Sequence, residues 1–255
     1  MNSQFSAFLK TLEDRHLADL RFPEVTRALR ALSSTYVERR ESALADRKAL
    51  DGAGKRAAFA LYYGPLHFLL VQHIVRELGL TIAPGLVVDL GCGTGVAGAA
   101  IAATSPSRLR ILGIDSHPWT LDEARFTYKA LGLHADVGRS HAAATRFPKD
   151  TSMVVAAFVV NELNDKDRAV LLDALVRLKA DAARNPGGTQ PHVLIVEPIS
   201  QRISPWWDQW AGEFTRMGGR ADVWKARVES PPIIKRLAKA AGLRPEMLTA
   251  RSLLL

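Results

Sequence analysis

The spacing of apolar positions changes character partway along the chain. Over the first eighty residues the period is helical. Phe5, Phe8, Leu9 and Leu12 fall on one stripe, and Val25, Leu29, Leu32 and Tyr36 fall on another, with Pro23 where a second helix starts. Asp51-Gly52-Ala53-Gly54 reads as a break. A third helical pattern runs from Ala57 to Leu80 through Phe59, Leu66, Leu69, Leu70, Ile74 and Leu78. Gly64-Pro65 is able to start a helix within it, and Gly79 is placed to end one.

From about residue 86 short apolar runs alternate with helical stretches. Strands are predicted at Leu86–Leu90, Leu109–Ile114, His134–Val137, Met153–Val160 and His192–Val196. Helices are predicted at Gly95–Ala103, Pro118–Leu131 and Asp165–Ala183. Such alternation implies a parallel sheet with right-handed crossovers, and ligands then gather at the carboxyl ends of its strands. Farther on, Ile233–Ala241 reads as a helix ended by Gly242, and 247–254 as a last strand. The segment 200–230 is irregular and holds four of the five tryptophans: Trp206, Trp207, Trp210 and Trp224. The expected organisation is an N-terminal helical extension over 1–80, then one α/β domain over 81–255 with a tryptophan-rich insertion at about 200–230.

Composition narrows the function classes. With 47% hydrophobic and 24% charged residues the chain is an ordinary globular protein. Cys92 is its one cysteine, so no intramolecular disulfide or cysteine-based metal site can form, and the usage fits a cytoplasmic protein. Charges recur from Lys10 onward, leaving no signal-peptide core, and no run of about 18 apolar residues predicts a membrane span. The seven histidines are scattered, so no metal site is expected. The net charge of +8 is uneven. Residues 1–80 carry 12 basic and 9 acidic side chains, 81–200 carry 12 and 12, and 201–255 carry 10 and 5. The basic tail suits RNA or another anion, or is a solvated face.

The chemistry concentrates at Asp89-Leu90-Gly91-Cys92-Gly93-Thr94-Gly95, where a strand runs into a helix of small residues. Glycines let the backbone turn tightly and approach a ligand, and the helix directs its positive end at that ligand. A nicotinamide fingerprint needs G-x-G-x-x-G, but counted from Gly91 the third small position falls on Val96.

This motif resembles the first motif of the class I S-adenosylmethionine-dependent methyltransferases. The resemblance implies a Rossmann-like α/β fold: a seven-stranded sheet with helices on both faces and its last strands antiparallel. It makes S-adenosylmethionine the cofactor. Asp115, ending the second strand, matches the acid that bonds the cofactor's ribose. Asp89 matches the acid near its amino-acid end, and Gly91, Cys92, Gly93 and Gly95 line its edge. Ser116 and Trp119 border the adenine, where Trp119 either stacks on the base or packs on the sheet. Arg139 and Ser140 follow the third strand beside the adenine amino group. Val160 and Asn161 lie where the reactive methyl sits, and Tyr63 stands in a helical lid over the cofactor.

Candidate general bases are Glu162 and His67. Asn161 and Glu162 otherwise cap the following helix, and Tyr63 and His67 otherwise pack in the core. Trp206, Arg220 and Asp222 are expected at the substrate cleft, with Trp207 and Trp210 in the core. A fainter similarity, over about 35–200 and through Asn161-Glu162-Leu163, is to a methyltransferase-like family associated with the small ribosomal subunit. That family usually carries a cysteine cluster, which this chain lacks. The expected function is methyl transfer to a small molecule or RNA. The alternatives are a non-catalytic RNA-binding assembly factor and a nicotinamide enzyme.

Overall fold

The computed structural model describes residues 3–38, 50–185, 187–200 and 204–255, and within the second helix the side chains only as far as residue 34. Tyr36 of the second apolar stripe therefore lies outside the described side chains.

Seven strands form one sheet: β1 (Gly85–Leu90), β2 (Leu109–Asp115), β3 (His134–Arg139), β4 (Thr151–Ala157), β5 (His192–Glu197), β6 (Arg220–Arg227) and β7 (Met247–Leu254). Their order across the sheet is β3-β2-β1-β4-β5-β7-β6. The pairs β1–β2, β1–β4, β2–β3 and β4–β5 are parallel, while β7 is antiparallel to both β5 and β6. The last strands pair antiparallel as expected, and β7 alone runs against the other six. The order turns back between β1 and β4, and this switch point opens a crevice at the carboxyl edge.

One face of the sheet carries α1 (Ser3–His16), α2 (Phe22–Glu38), α3 (Ala53–Ala58), α4 (Gly64–Glu77), α5 (Val96–Thr104), α6 (Pro118–Ala130) and α9 (Pro232–Ala241). The other carries α7 (Asp165–Arg184) and α8 (Trp207–Arg216). Strand alternation sorts the two cores. Val87, Val155, Leu194 and Val196 face the first layer, whereas Val88, Val154, Val193 and Ile195 face the second. Phe5, Phe8, Leu9, Leu12, Val25 and Leu29 from the first eighty residues share one core with Val87 and α5. Glu123 of α6, with no exposed surface, ties α1 down by accepting from Arg15 Nε at 3.2 Å and pairing with His16 Nε2 at 2.6 Å.

Helix α3, a π-helical turn (Phe59–Tyr63) and α4 run on without a gap from Ala53 to Glu77. The most apolar 18 residues of this stretch have a mean hydropathy of 1.3, long and apolar enough to cross a membrane, but two-thirds of them are buried in the protein core. The segment read as a tryptophan-rich insertion is instead α8 followed by the edge strand β6. The sequence pattern missed β6 because an edge strand with one buried position among eight lacks the apolar run of a central strand.

Candidate active site

The loop after β1 alternates left-handed glycines: Gly91 (φ 59), Gly93 (φ 53) and Gly95 (φ 79). A Cβ on Gly91 would stand 2.1 Å from Val159 Cγ2, and one on Gly95 would stand 2.8 Å from Tyr128 Cζ. Gly93 differs, because a Cβ there would meet nothing closer than the Gly91 carbonyl at 4.0 Å. The middle of the loop thus faces open space, as backbone that cradles a ligand must.

Two carboxylates hold this loop from different sides. Asp115, half-buried at the end of β2, accepts from Gly93 N at 3.0 Å through Oδ2 and from His117 N at 2.9 Å through Oδ1. Each oxygen keeps a lone pair for a further donor, so the group suits a vicinal diol. Asp89 is only 1% exposed and lies beneath the loop. Its Oδ2 accepts from Gly98 N at 2.8 Å, satisfying an amide in the first turn of α5. Gly98 must be glycine here, since a Cβ would sit 2.9 Å from that oxygen. Burial pushes the Asp89 carboxyl up to about 7, with Asp115 adding to the rise and the Gly98 amide opposing it. Cys92 is a buried free thiol, held neutral by burial beside Asp89 and Asp115.

The flank after β2 holds Ser116, exposed, and Trp119, half-buried in the first turn of α6. His117 caps that helix, its Nδ1 accepting from Trp119 N at 3.1 Å. The Arg56 guanidinium of α3 lies 5.6 Å from the Trp119 ring centroid. Arg139 is exposed and donates from Nε to the Ser116 carbonyl at 3.2 Å, while Ser140 N donates to the Asp115 carbonyl at 3.1 Å. Asp115, Ser116, Trp119, Arg139 and Ser140 therefore come together on one side of the glycine loop.

The opposite side is aromatic. Phe158 follows β4 and is, among the described residues, the one non-glycine with positive φ (61°). Its ring stacks on His67 of α4, with centroids 4.1 Å apart and planes at 23°. The Tyr63 and Phe59 rings lie 6.2 and 6.4 Å from His67. Tyr63 is also hydrogen-bonded to Ser33 of α2. Tyr63 and Phe59 sit on the π-helical turn, a distortion common at functional sites. Gly64, just after it, abuts the glycine loop, since a Cβ there would lie 3.1 Å from Thr94 Oγ1. Burial pushes the half-buried His67 imidazole down to about 4.

Strand β4 ends at Ala157, so Val160, Asn161 and Glu162 form a 3₁₀ turn rather than strand. Glu162 is exposed on it, and Val160 is buried. Their anchor is Glu197, which ends β5 with no exposed surface. Its Oε1 accepts from Val160 N at 2.8 Å and Asn161 N at 3.3 Å, and its Oε2 accepts from Asn161 Nδ2 at 2.7 Å. Burial pushes the Glu197 carboxyl up to about 8, against those amide donors and Arg251. Sequence reading took Glu197 only as the end of a strand. The usable signal was an acid following four apolar residues at a carboxyl edge.

The residues expected at the substrate cleft do not all reach it. Trp206 is buried and donates from Nε1 to Asn161 Oδ1 at 2.9 Å. Trp207 and Trp210 are buried in the second core. Arg220 and Asp222 pair with each other at 2.5 Å on edge strand β6. The ladder through β7 sets them level with Leu194 and Val196 of β5, short of its carboxyl end at Glu197. His73 packs edge-on against Trp224. Among the described residues no cluster of side chains could hold a metal ion.

Comparison with known proteins agrees with this geometry. Residues 87–181 match the family model of a methyltransferase domain. No curated protein matches the chain. Among solved structures, the chain resembles a candidate O-methyltransferase from Nostoc punctiforme PCC 73102, at TM-score 0.52 and 14% identity, over 94% of this chain and 71% of that one. It also resembles a SAM-dependent methyltransferase from Aquifex aeolicus (TM-score 0.41, 16% identity, 74% and 91% covered). A third match is a candidate RNA methyltransferase from Pyrococcus horikoshii (TM-score 0.48, 13% identity, 74% and 83% covered). Residues 87–181, which include the glycine loop, thus match a methyltransferase domain, set in a sheet with a single reversed strand.

Proposed function

We propose that the chain methylates a planar acceptor, a small molecule or an RNA base, held against the aromatic wall of Tyr63, His67 and Phe158. The observation that carries this reading is the His67–Phe158 stack, with Phe158 beside Val159, which packs on Gly91. S-adenosylmethionine supplies a methyl group already joined to a good leaving group, so positioning and exclusion of water do most of the work. In this reading Asp115 binds the ribose hydroxyls, and Gly91, Cys92, Gly93 and Gly95 border the cofactor. Asp89 acts from beneath, keeping α5 and the loop in register. Trp119, Ser116, Arg139 and Ser140 enclose the adenine.

The acceptor's lone pair forms the new bond to the methyl carbon as the carbon–sulfur bond breaks, and the acceptor's proton passes to His67. Held neutral above about pH 4, His67 is free to take it at neutral pH. Glu162, exposed on the turn after β4, is the second candidate acceptor of that proton. The excess of basic residues over 201–255 supports an anionic acceptor such as RNA. A lone buried thiol fits a reducing, cytoplasmic setting.

The test is to incubate the protein with S-adenosylmethionine labelled in the methyl group and a cell extract. The RNA, protein and small-molecule fractions are then counted. Label in the RNA or small-molecule fraction supports the reading, and label confined to protein overturns it.

A further inference from the structure

We propose that Glu197 is a positioning residue: its ionised carboxylate fixes the amide of Asn161 against the Trp206 indole and so holds the turn after β4, with Phe158, in the conformation that stacks on His67. The consequence for catalysis rests on the methyl-transfer reading above, but the clamp rests on geometry alone.

The argument is one of hydrogen-bond direction. An indole N–H only donates. The Asn161 atom 2.9 Å from Trp206 Nε1 is therefore the amide oxygen. The amide nitrogen then faces Glu197 Oε2 at 2.7 Å, and being a donor it requires an acceptor there. Glu197 Oε1 already faces two donors, the amides of Val160 and Asn161. Both carboxylate oxygens thus accept, and a proton on Oε2 weakens that oxygen as an acceptor while adding an O–H that faces donors. If the Asn161 amide turns its oxygen to the carboxylic acid, its nitrogen is set against the indole, donor against donor. The clamp is tightest on the carboxylate.

The clamp controls the turn because it joins strand, turn and helix. Phe158 N donates to the Val196 carbonyl at 2.8 Å, one residue before Glu197. Arg168 of α7 reaches the Val160 carbonyl from the other side at 3.5 Å. Held at both ends, Phe158 keeps a left-handed conformation that costs a non-glycine residue free energy. The charged and titratable groups facing this region are few. Arg251 stands opposite Glu197 across β5–β7, its guanidinium 4.0 Å from the Trp207 ring centroid. Asp208 of α8 acts on Arg251, Arg168 approaches from α7, and His67 lies beyond Phe158. Burial sets the Glu197 titration at about 8 and that of His67 at about 4, so the two separate on a pH scale.

The test uses the full chain labelled with nitrogen-15 and follows its tryptophan indole resonances by NMR from pH 6 to 10. Trp206→Phe assigns the Trp206 signal. The wild-type signal is expected to titrate with a midpoint near 8, and in Glu197→Gln it is expected to be pH-independent. A second readout is the His67 ring proton shift, displaced in the wild type by the stacked Phe158 ring. Glu197→Gln is expected to lose that displacement, as is Asn161→Ala, which removes the clamp from its other end if the first variant fails to fold. A Trp206 signal that does not move with pH overturns the proposal. So does a His67 displacement that survives in a folded variant of either kind. Neither readout involves methyl transfer, so failure of the acceptor reading leaves this test intact.

Discussion

The imidazole of His67 lies nearly flat on the ring of Phe158, centroids 4.1 Å apart, although the two reach that contact from α4 and from the end of β4. The stack joins the N-terminal helices to the carboxyl edge of the sheet. Replacing His67 with Asn keeps a polar group of similar reach but removes the proposed proton acceptor. We expect methyl transfer to fall by about 10²-fold or more. Affinity for S-adenosylmethionine should stay within about twofold, because Asp115 and the glycine loop are untouched. Single-turnover transfer and calorimetry on the same preparation separate these effects. Equal losses in both would assign His67 to binding instead.

Asp115 already accepts two backbone N–H groups, so its carboxylate is oriented before any ligand arrives. Asp115→Ala is expected to weaken S-adenosylmethionine binding by roughly 10- to 100-fold, the worth of charge-assisted hydrogen bonds. Asp115→Asn, which can still accept from Gly93 N, should fall between Ala and wild type. Calorimetric titration of the three proteins checks this. Unchanged affinity in the Ala variant would remove Asp115 from the ribose site.

The central strands and the glycine loop were legible because they depend on local patterns. Four apolar runs mark β1, β2, β4 and β5, the short alternation from His134 to Val137 marks β3, and Asp89 through Gly95 is contiguous. Strand β6 was not legible, since its edge position leaves seven of eight residues at least partly exposed. Neither was Glu197. Its partner Asn161 is 36 positions away, Asn161 in turn bonds Trp206 45 positions away, and no periodicity links the three. The bond from Trp206 to Asn161 was hidden for the same reason, because nothing local says whether an indole fills a pocket or braces a turn. Arg220 and Asp222 misled because alternate positions on an edge strand readily pair with each other. The π-helical turn at Phe59–Tyr63 lies inside the helical pattern of Ala57–Leu80, just before the predicted helix start at Gly64-Pro65, and its apolar spacing stays near that of an α-helix.

Gly91 tests the loop by packing rather than chemistry. At φ 59 an L-residue is strained, and an added methyl would fall 2.1 Å from Val159 Cγ2. Gly91→Ala should cost about 2–4 kcal/mol in urea unfolding. The same change at Gly218, where φ is 83 and nothing lies within 4 Å, carries only the backbone strain of about 1 kcal/mol. Equal destabilisation of the two variants would show that Val159 moves aside without cost.

Two buried carboxyls and the half-buried His67 give opposing pH dependences of stability. Asp89 titrates near 7 in the fold against an ordinary 3.8, and Glu197 near 8 against 4.5. A carboxyl raised in this way favours the folded state most below its unfolded value, and that advantage is lost as pH rises through the folded one. His67 behaves in the reverse sense. Its imidazole is depressed from 6.5 to about 4, so its contribution is complete above 6.5 and is lost as pH falls toward 4. Relative to wild type, Asp89→Asn should gain stability between pH 4 and 7, because it has no charge to bury. Glu197→Gln carries the constant cost of the broken clamp, but its deficit relative to wild type should shrink between pH 4.5 and 8, and His67→Asn should gain only below 6.5. Each pKa unit corresponds to about 1.4 kcal/mol, so the differences reach a few kcal/mol and are measurable by urea unfolding at pH 5 and 8. A wild-type-minus-variant difference for Asp89 that is flat from pH 4 to 8 would mean that its carboxyl titrates in the fold as it does in the unfolded chain. The Gly98 amide would then fully offset the cost of burying the charge.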